Sequence, residues 1–216
     1  RSTLGLTLVP EMVSATSASG SHATMMLAGG DLVEVDLIVG ADGRDSPVRE
    51  QAGIRSRAWS YPQSAVTAIF AHARPHNDTS TEFHTRFGPF TLVPLPGLRS
   101  SLVWLTKPRH AERLMGLSEA EFALAAEKQA RSMLGAMRLD GPRGCVPMGG
   151  LSVDGFAAAR CAIIGEAAHV FPPIGAQGLN LSIRDAADLA ACVASASDPG
   201  ADEVLERYDR LRRPDI

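Results

Sequence analysis

The stretch Cys161 to Ala190, CAIIGEAAHVFPPIGAQGLNLSIRDAADLA, constrains the fold of this chain more than any other. The short apolar run AIIG reads as a buried strand, and Glu166 stands where it ends. Ala167 and Ala168 keep the turn small. Pro172 and Pro173 stiffen the backbone by fixing φ, while Gly175 and Gly178 let the main chain approach a flat ligand closely. In the helix that follows, Leu179, Ile183, Ala186, Ala190 and Val193 are expected on one face. Its start near Gly178 aims N–H groups that the helix itself leaves without acceptors, and the positive end of its dipole, back toward the strand end. That end suits electron-rich oxygen or nitrogen. The Glu166 carboxylate suits the hydroxyls of a sugar or polyol.

A second segment, DLIVGADGRDSPVREQAG from Asp36 to Gly53, has the same plan. Leu37 to Val39 read as a strand buried on both faces, and Gly40 to Gly43 as the turn at its carboxyl end, the edge where α/β sheets take ligands. Ser46 is the expected cap of a short helix, with Pro47 in its first turn and Gly53 at its stop. Asp42 therefore falls in a strand-to-helix crevice.

Elsewhere the pattern changes. Leu4 to Val39 reads as a hairpin, LGLTLVP and ATMMLAGG broken by Ser14 to Ser21, feeding the buried strand. AVTAIFAHA, EFHTRF, FTLVPLP and SSLVWLT alternate as in an antiparallel sheet with one covered face. Ser118 with Glu121 forms a capping box for a core-packed helix running up to Gly135, carrying Phe122, Ala125, Ala126 and Met133 inward. DGPRGCVPMGG reads as a Gly/Pro-rich connection, and Asp202 to Arg213 as a last helix stopped by Pro214. Phe90 and Trp104 are expected in the core.

With 216 residues, 45% of them hydrophobic, and a net charge of −3, there is apolar material for one large domain or two small ones. The balance has no basic stripe, which sets nucleic acid aside as a partner. No apolar run reaches the roughly eighteen residues of a membrane span, and the first residues lack a signal-peptide pattern. Cys145, Cys161 and Cys192 have no CxxC spacing and read as reduced packing thiols of a cytoplasmic protein. His72 and His76 lie four apart but on strand-like sequence, so they read as exposed or capping residues and no metal site is expected.

GADGRDSPVR and GEAAHVFPPIGAQGLNLSIRDAADLA resemble the second and third motifs of the FAD-dependent aromatic hydroxylases, the single-component flavoprotein monooxygenases like para-hydroxybenzoate hydroxylase. WSYPQSAVTAIFAHARPH, RFGPFTLVPLP and SSLVW are similar to the ubiquinone-biosynthesis hydroxylases within that group. The resemblance implies a mixed α/β fold: a partial Rossmann-like FAD-binding domain from 1–58 and 150–216, with a parallel sheet, and an antiparallel substrate-binding sheet with helices at 59–149. It implies FAD as cofactor, NAD(P)H as transient reductant, and hydroxylation of a phenol, in particular a polyprenyl phenol. Carried over by position, Asp42, Gly43 and Arg49 lie near the FAD pyrophosphate and the NAD(P)H path. Glu166, where the family usually has Asp, meets the ribityl chain. Pro173 faces flavin and substrate through its backbone. Gly175, Gln177, Gly178, Leu179 and Asn180 complete the cradle for the flavin ring. His169, within the same motif, has a packing and hydrogen-bonding role.

The alternatives are a related flavoprotein reductase or halogenase, and a non-enzymatic assembly or lipid-carrying partner; the halogenase WxWxIP stretch is absent. No G-x-G occurs anywhere, so the phosphate turn that opens a dinucleotide-binding unit is missing and the chain reads as an internal fragment of the family pattern. Such a fragment is expected to be colourless and inactive alone and to self-associate through uncovered apolar surface and an open sheet edge. The pathway resemblance also implies a place at the inner face of the inner membrane, beside other proteins of ubiquinone assembly.

Overall fold

The computed structural model describes residues 5–172 and 177–215. In chain order the elements are β1 (Val13–Ser19), β2 (His22–Leu27), β3 (Leu32–Val35), β4 (Ile38–Gly40), α1 (Pro47–Gln51), β5 (Ser56–His72), β6 (Thr81–Thr85), β7 (Gly88–Leu95) and β8 (Arg99–Thr106). They continue with α2 (Pro108–Gly116), α3 (Glu119–Gln129), β9 (Met137–Leu139), β10 (Gly144–Val153), β11 (Ala157–Ala158), β12 (Cys161–Ile163), α4 (Gln177–Val193) and α5 (Asp202–Arg212). The chain divides into two compact units, Arg1–Trp59 with Gly149–Ile216, and Ser60–Met148. β5 carries the backbone from the first unit into the second, and β10 carries it back.

In the first unit, β1, β2 and β3 form an antiparallel sheet, and β12 lies between β11, antiparallel, and β4, parallel. The segment expected to interrupt the hairpin, Ser14 to Ser21, is instead most of β1 and its turn: Ser19 pairs with His22 across Gly20, whose φ of +58° suits a tight connection. β4 is covered on one face only. Ile38 is buried but Val39 is 43% exposed, because the apolar run alone does not say whether both faces have a neighbour. Gly40 ends β4 where α1 packs down: a Cβ there would lie 2.9 Å from Val48 Cγ1 and 3.1 Å from Ile163 Cγ2. The cap at α1 is as expected, with Ser46 Oγ accepting the Arg49 N–H at 2.9 Å and Gly53 following at φ +69°.

α4 presents a different face from the one its apolar residues suggest. Asp185, Leu189 and Cys192 point inward, joining Leu205 and Tyr208 of α5, while Leu179 and Ile183 are 71% and 58% exposed. Counting only apolar positions misplaces the face because its central inward residue is an aspartate.

The second unit is an antiparallel sheet in the order β10-β5-β8-β7-β6, with β9 also on β5 and α2 and α3 packed on the sheet. Phe90 pairs directly with Trp104, so both lie on the covered face, ring centroids 5.0 Å apart and edge to face. Phe122 of α3 tilts against Phe70 at 5.5 Å. The capping box closes as the sequence predicts: Ser118 Oγ accepts the Glu121 N–H at 3.3 Å, and the Glu121 carboxylate accepts the Ser118 N–H at 2.9 Å. α2 is a helix that sequence reading misses; it opens with Pro108 in its first turn. The Gly/Pro-rich connection is in fact mostly strand, and Pro147 fits because β10 is the outer strand of the sheet.

His72 is buried, not exposed, and bonds the Arg74 carbonyl at 2.8 Å and Ser100 Oγ at 3.0 Å. His76 reaches the Leu95 and Gly97 carbonyls. Cys161 and Cys192 are buried packing thiols, whereas Cys145 is exposed. Burial, reinforced by the Asp42 charge, pushes the Cys161 thiol up to about 11. Thiolate is the reactive form, so a disulfide reagent at mildly alkaline pH should modify Cys145 alone in the native protein, and all three cysteines after denaturation. Rapid native labelling of Cys161 would contradict the buried position.

Candidate cofactor site

The parallel pair β4 and β12 sets the site. Ile163 stands opposite Gly40, so the turns after both strands leave the same sheet edge. After β4, Gly43 turns at φ +87°, and Asp42 Oδ2 accepts the Val48 N–H at 3.0 Å. Asp42 is thus tied to the opening of α1 rather than projecting alone. Arg49 is only 4% exposed; its guanidinium donates to the Arg44 and Ala167 carbonyls, each at 2.9 Å. One arginine therefore clips the turn after β4 to the turn after β12, a role that its motif position did not suggest.

After β12, a 3-10 turn runs from Gly165 to Ala167, with Ala167 and Ala168 fully buried and Glu166 exposed. Gly165 has φ +62°, a left-handed conformation that favours glycine, and its carbonyl accepts the Ala168 and His169 N–H groups. Glu166 has no hydrogen-bond partner among the described residues. α4 packs against this turn: a Cβ on Gly165 would lie 3.3 Å from Ser182 Oγ. Gln177, Gly178, Leu179 and Asn180 at the start of α4 are all exposed. Pro173 and Gly175 lie outside the described residues. A separate cavity of about 270 Å³ borders Val39, Asp42 and Val48, and Glu166 is not among its walls.

Behind the turn is a charge cluster that sequence reading missed. Asp185 is fully buried; Oδ2 accepts from His169 Nε2 at 2.7 Å and from the Gly165 N–H at 2.8 Å, and Oδ1 accepts from Arg212 Nε at 2.7 Å. Arg212, 1% exposed, also donates to Asp188 and Asp215. Burial alone would push the Asp185 carboxyl up; the bonds from His169 and Gly165, with the neighbouring positive charge, outweigh it and hold it below the usual carboxylate range. Tyr208 donates to the Ile163 carbonyl at 3.0 Å, and burial drives its phenol well above the ordinary value. The signal in the sequence was an acid, Asp185, one turn before Leu189 in the segment RDAADLA.

These residues fit a flavin nucleotide. An exposed carboxylate at a strand end can accept from polyol hydroxyls, and a 17-residue helix opening beside it offers amide donors and a positive dipole end. Among the described residues no group of three or more His, Cys, Asp or Glu is placed to hold a metal.

The architecture is the mixed α/β fold of the FAD-dependent monooxygenases. Residues 16–216 match the FAD binding domain family, and the chain belongs to it; its cofactor is FAD. Ubiquinone hydroxylase UbiL of Rhodospirillum rubrum is 36% identical over 212 residues, covering 96% of this chain and 49% of that protein. The 3-demethoxyubiquinol 3-hydroxylase of Escherichia coli is 31% identical over 193 residues, covering 88% of this chain and 49% of that protein. The chain thus spans about half the length of these relatives. Among solved structures, Klebsiella pneumoniae HpxO complexed with FAD and uric acid superposes with a TM-score of 0.73 at 19% identity, over 94% of this chain and 53% of that one. The flavin-dependent halogenase CmlS gives 0.71 at 21% identity, over 92% and 40%. At these identities the structural matches speak for the fold.

Proposed function

We propose that the whole protein containing this chain is an FAD- and NAD(P)H-dependent monooxygenase that hydroxylates a phenolic ring, a polyprenyl phenol of ubiquinone biosynthesis. The observation carrying this reading is the shared edge of β4 and β12, where the exposed Glu166 carboxylate stands beside the opening of α4. Similarity to two hydroxylases of ubiquinone compounds supports the substrate class.

In this reading Glu166 accepts hydrogen bonds from the ribityl hydroxyls. The amides of Gly178, Leu179 and Asn180, with Gly175 and Gln177, meet the pyrimidine edge of the ring, where the helix dipole stabilises negative charge. Asp42, Gly43 and Arg49 shape the neighbouring turn toward the pyrophosphate, and the Pro173 backbone faces the substrate. Bound there, FAD would supply the oxygen-activating chemistry, with NAD(P)H as the source of electrons. The Arg1–Trp59 and Gly149–Ile216 unit is assigned to the cofactor, and the Ser60–Met148 unit to the phenol. A prenyl tail would bring the enzyme to the inner membrane face as a peripheral protein of the cytoplasm, next to other proteins of the pathway. No described helix is long and apolar enough to cross a membrane. The chain taken alone would self-associate through the apolar side chains it exposes, Leu179 and Ile183 among them.

The test uses the full-length protein with NAD(P)H, labelled dioxygen and a polyprenyl phenol. Phenol-stimulated NAD(P)H oxidation with one labelled oxygen atom in the ring is expected. Oxidation of NAD(P)H with no label in the phenol would favour a reductase and overturn the proposal.

A further inference from the structure

We propose that Asp185 is a positioning residue for the cofactor, a buried carboxylate that fixes the Glu166 turn against α4 and so sets where the Glu166 carboxylate can reach. The inference rests on the assignment of Glu166 to FAD above.

Asp185 belongs to α4, the helix whose first turn is Gln177 to Asn180, and it accepts the N–H of Gly165, the residue immediately before Glu166. One side chain therefore joins the two elements assigned to the flavin. Gly165 is left-handed at φ +62°, with its N–H held by Asp185 and its carbonyl by the Ala168 and His169 amides. The backbone entering Glu166 is thus pinned on both sides, while the Glu166 side chain itself has no partner among the described residues. Fixing the turn matters more for glutamate than for aspartate, since each added methylene adds a rotatable bond whose freedom binding must remove.

Packing alone does not account for a carboxylate at this place. Burying an ion pair is a poor route to stability, and a leucine would fill the site without the cost of desolvating a charge. Asp185 instead receives three donors in fixed directions, from Gly165, His169 and Arg212, which an apolar side chain cannot do. Arg212 comes from α5 and balances the charge, so the clamp spans α4, α5 and the turn.

The test is a double-mutant cycle in the full-length protein, read as the FAD dissociation constant from quenching of flavin fluorescence. Asp185→Asn keeps an acceptor for the Gly165 N–H but removes the charge that orients His169 and Arg212. It is expected to weaken FAD binding on the order of five- to ten-fold in the native background, and less than about two-fold once Glu166→Ala has removed the group it positions. Leu205→Ala, which damages the same core without touching the clamp, is expected to leave FAD affinity within about two-fold of native. If Asp185→Asn does not fold, His169→Phe removes one donor while keeping a ring between Phe156 and Phe171, and the same non-additivity is expected. Equal weakening in both backgrounds, no weakening in either, or equal weakening by Leu205→Ala would overturn the positioning role. Failure of the unmutated protein to bind FAD, or of Glu166→Ala to weaken it, would instead sink the cofactor assignment on which the role depends.

Discussion

Arg212→Met is expected to cost the unit that contains β4, β12, α4 and α5 about 3–5 kcal/mol, the usual penalty for removing one partner of a buried ion pair. Methionine fills much of the arginine stem's volume, so the loss is electrostatic. Asp185, fully buried, would keep its bonds to His169 and Gly165 but lose the guanidinium of Arg212 that faces it. The pH dependence has a definite sign. Asp185 is held below its ordinary value, so the stabilisation from its ionised form is present above the unfolded-state value of roughly 3.9 and is lost as pH falls through the lower folded-state value. In Arg212→Met the uncompensated carboxylate can instead be relieved by protonation. The deficit against native protein, measured by denaturant unfolding, should therefore be largest near neutral pH and shrink below about pH 4. A deficit under about 1 kcal/mol, or one that does not change with pH, would show that the cluster is solvated or differently paired.

The second large effect belongs to the Ser60–Met148 unit. Phe122→Ala should destabilise it by about 3–5 kcal/mol, the range for truncating a fully buried aromatic ring. Phe122 is completely buried against Phe70, and the Arg143 guanidinium sits 5.1 Å from its ring centroid. Arg143 also donates to the Leu114 and Leu117 carbonyls at the end of α2, so losing the ring removes a wall from the arginine that closes that helix. Phe122→Leu should recover more than half of the loss in a thermal melt. Equal destabilisation by both variants would mean that apolar volume alone does not support the packing and that the loss lies in the ring's own shape.

Local chemistry was legible wherever a few adjacent residues decide the outcome. The Ser46 cap with Pro47 and Gly53 around α1, and the Ser118–Glu121 box at α3, follow from side chains that satisfy the orphan amides of their own helix. The strand ends at Gly40 and Ile163 could also be placed, because short apolar runs closed by glycine have few other uses. What could not be read depends on distant partners. Val39 is half exposed because burial needs a neighbour on each face of β4. Pro147 suggested a loop because sequence does not say that its strand is an outer one. The inward face of α4 turns on Asp185, whose hydrogen-bond donors include Gly165 and Arg212, 20 and 27 residues away. Arg49 likewise matched a motif, but its bond to Ala167 spans 118 residues. Sequence identified the turns at the site, and only the fold revealed what holds them in place.

FAD is expected to lie across the turn after β12 and the opening of α4. Amide hydrogen exchange of the full-length protein, compared with and without bound FAD, tests it most directly. Slowed exchange at Glu166, Gly178 and Leu179 on FAD binding is the predicted result. Unchanged exchange at these three amides, with protection confined to other parts of the protein, would contradict it.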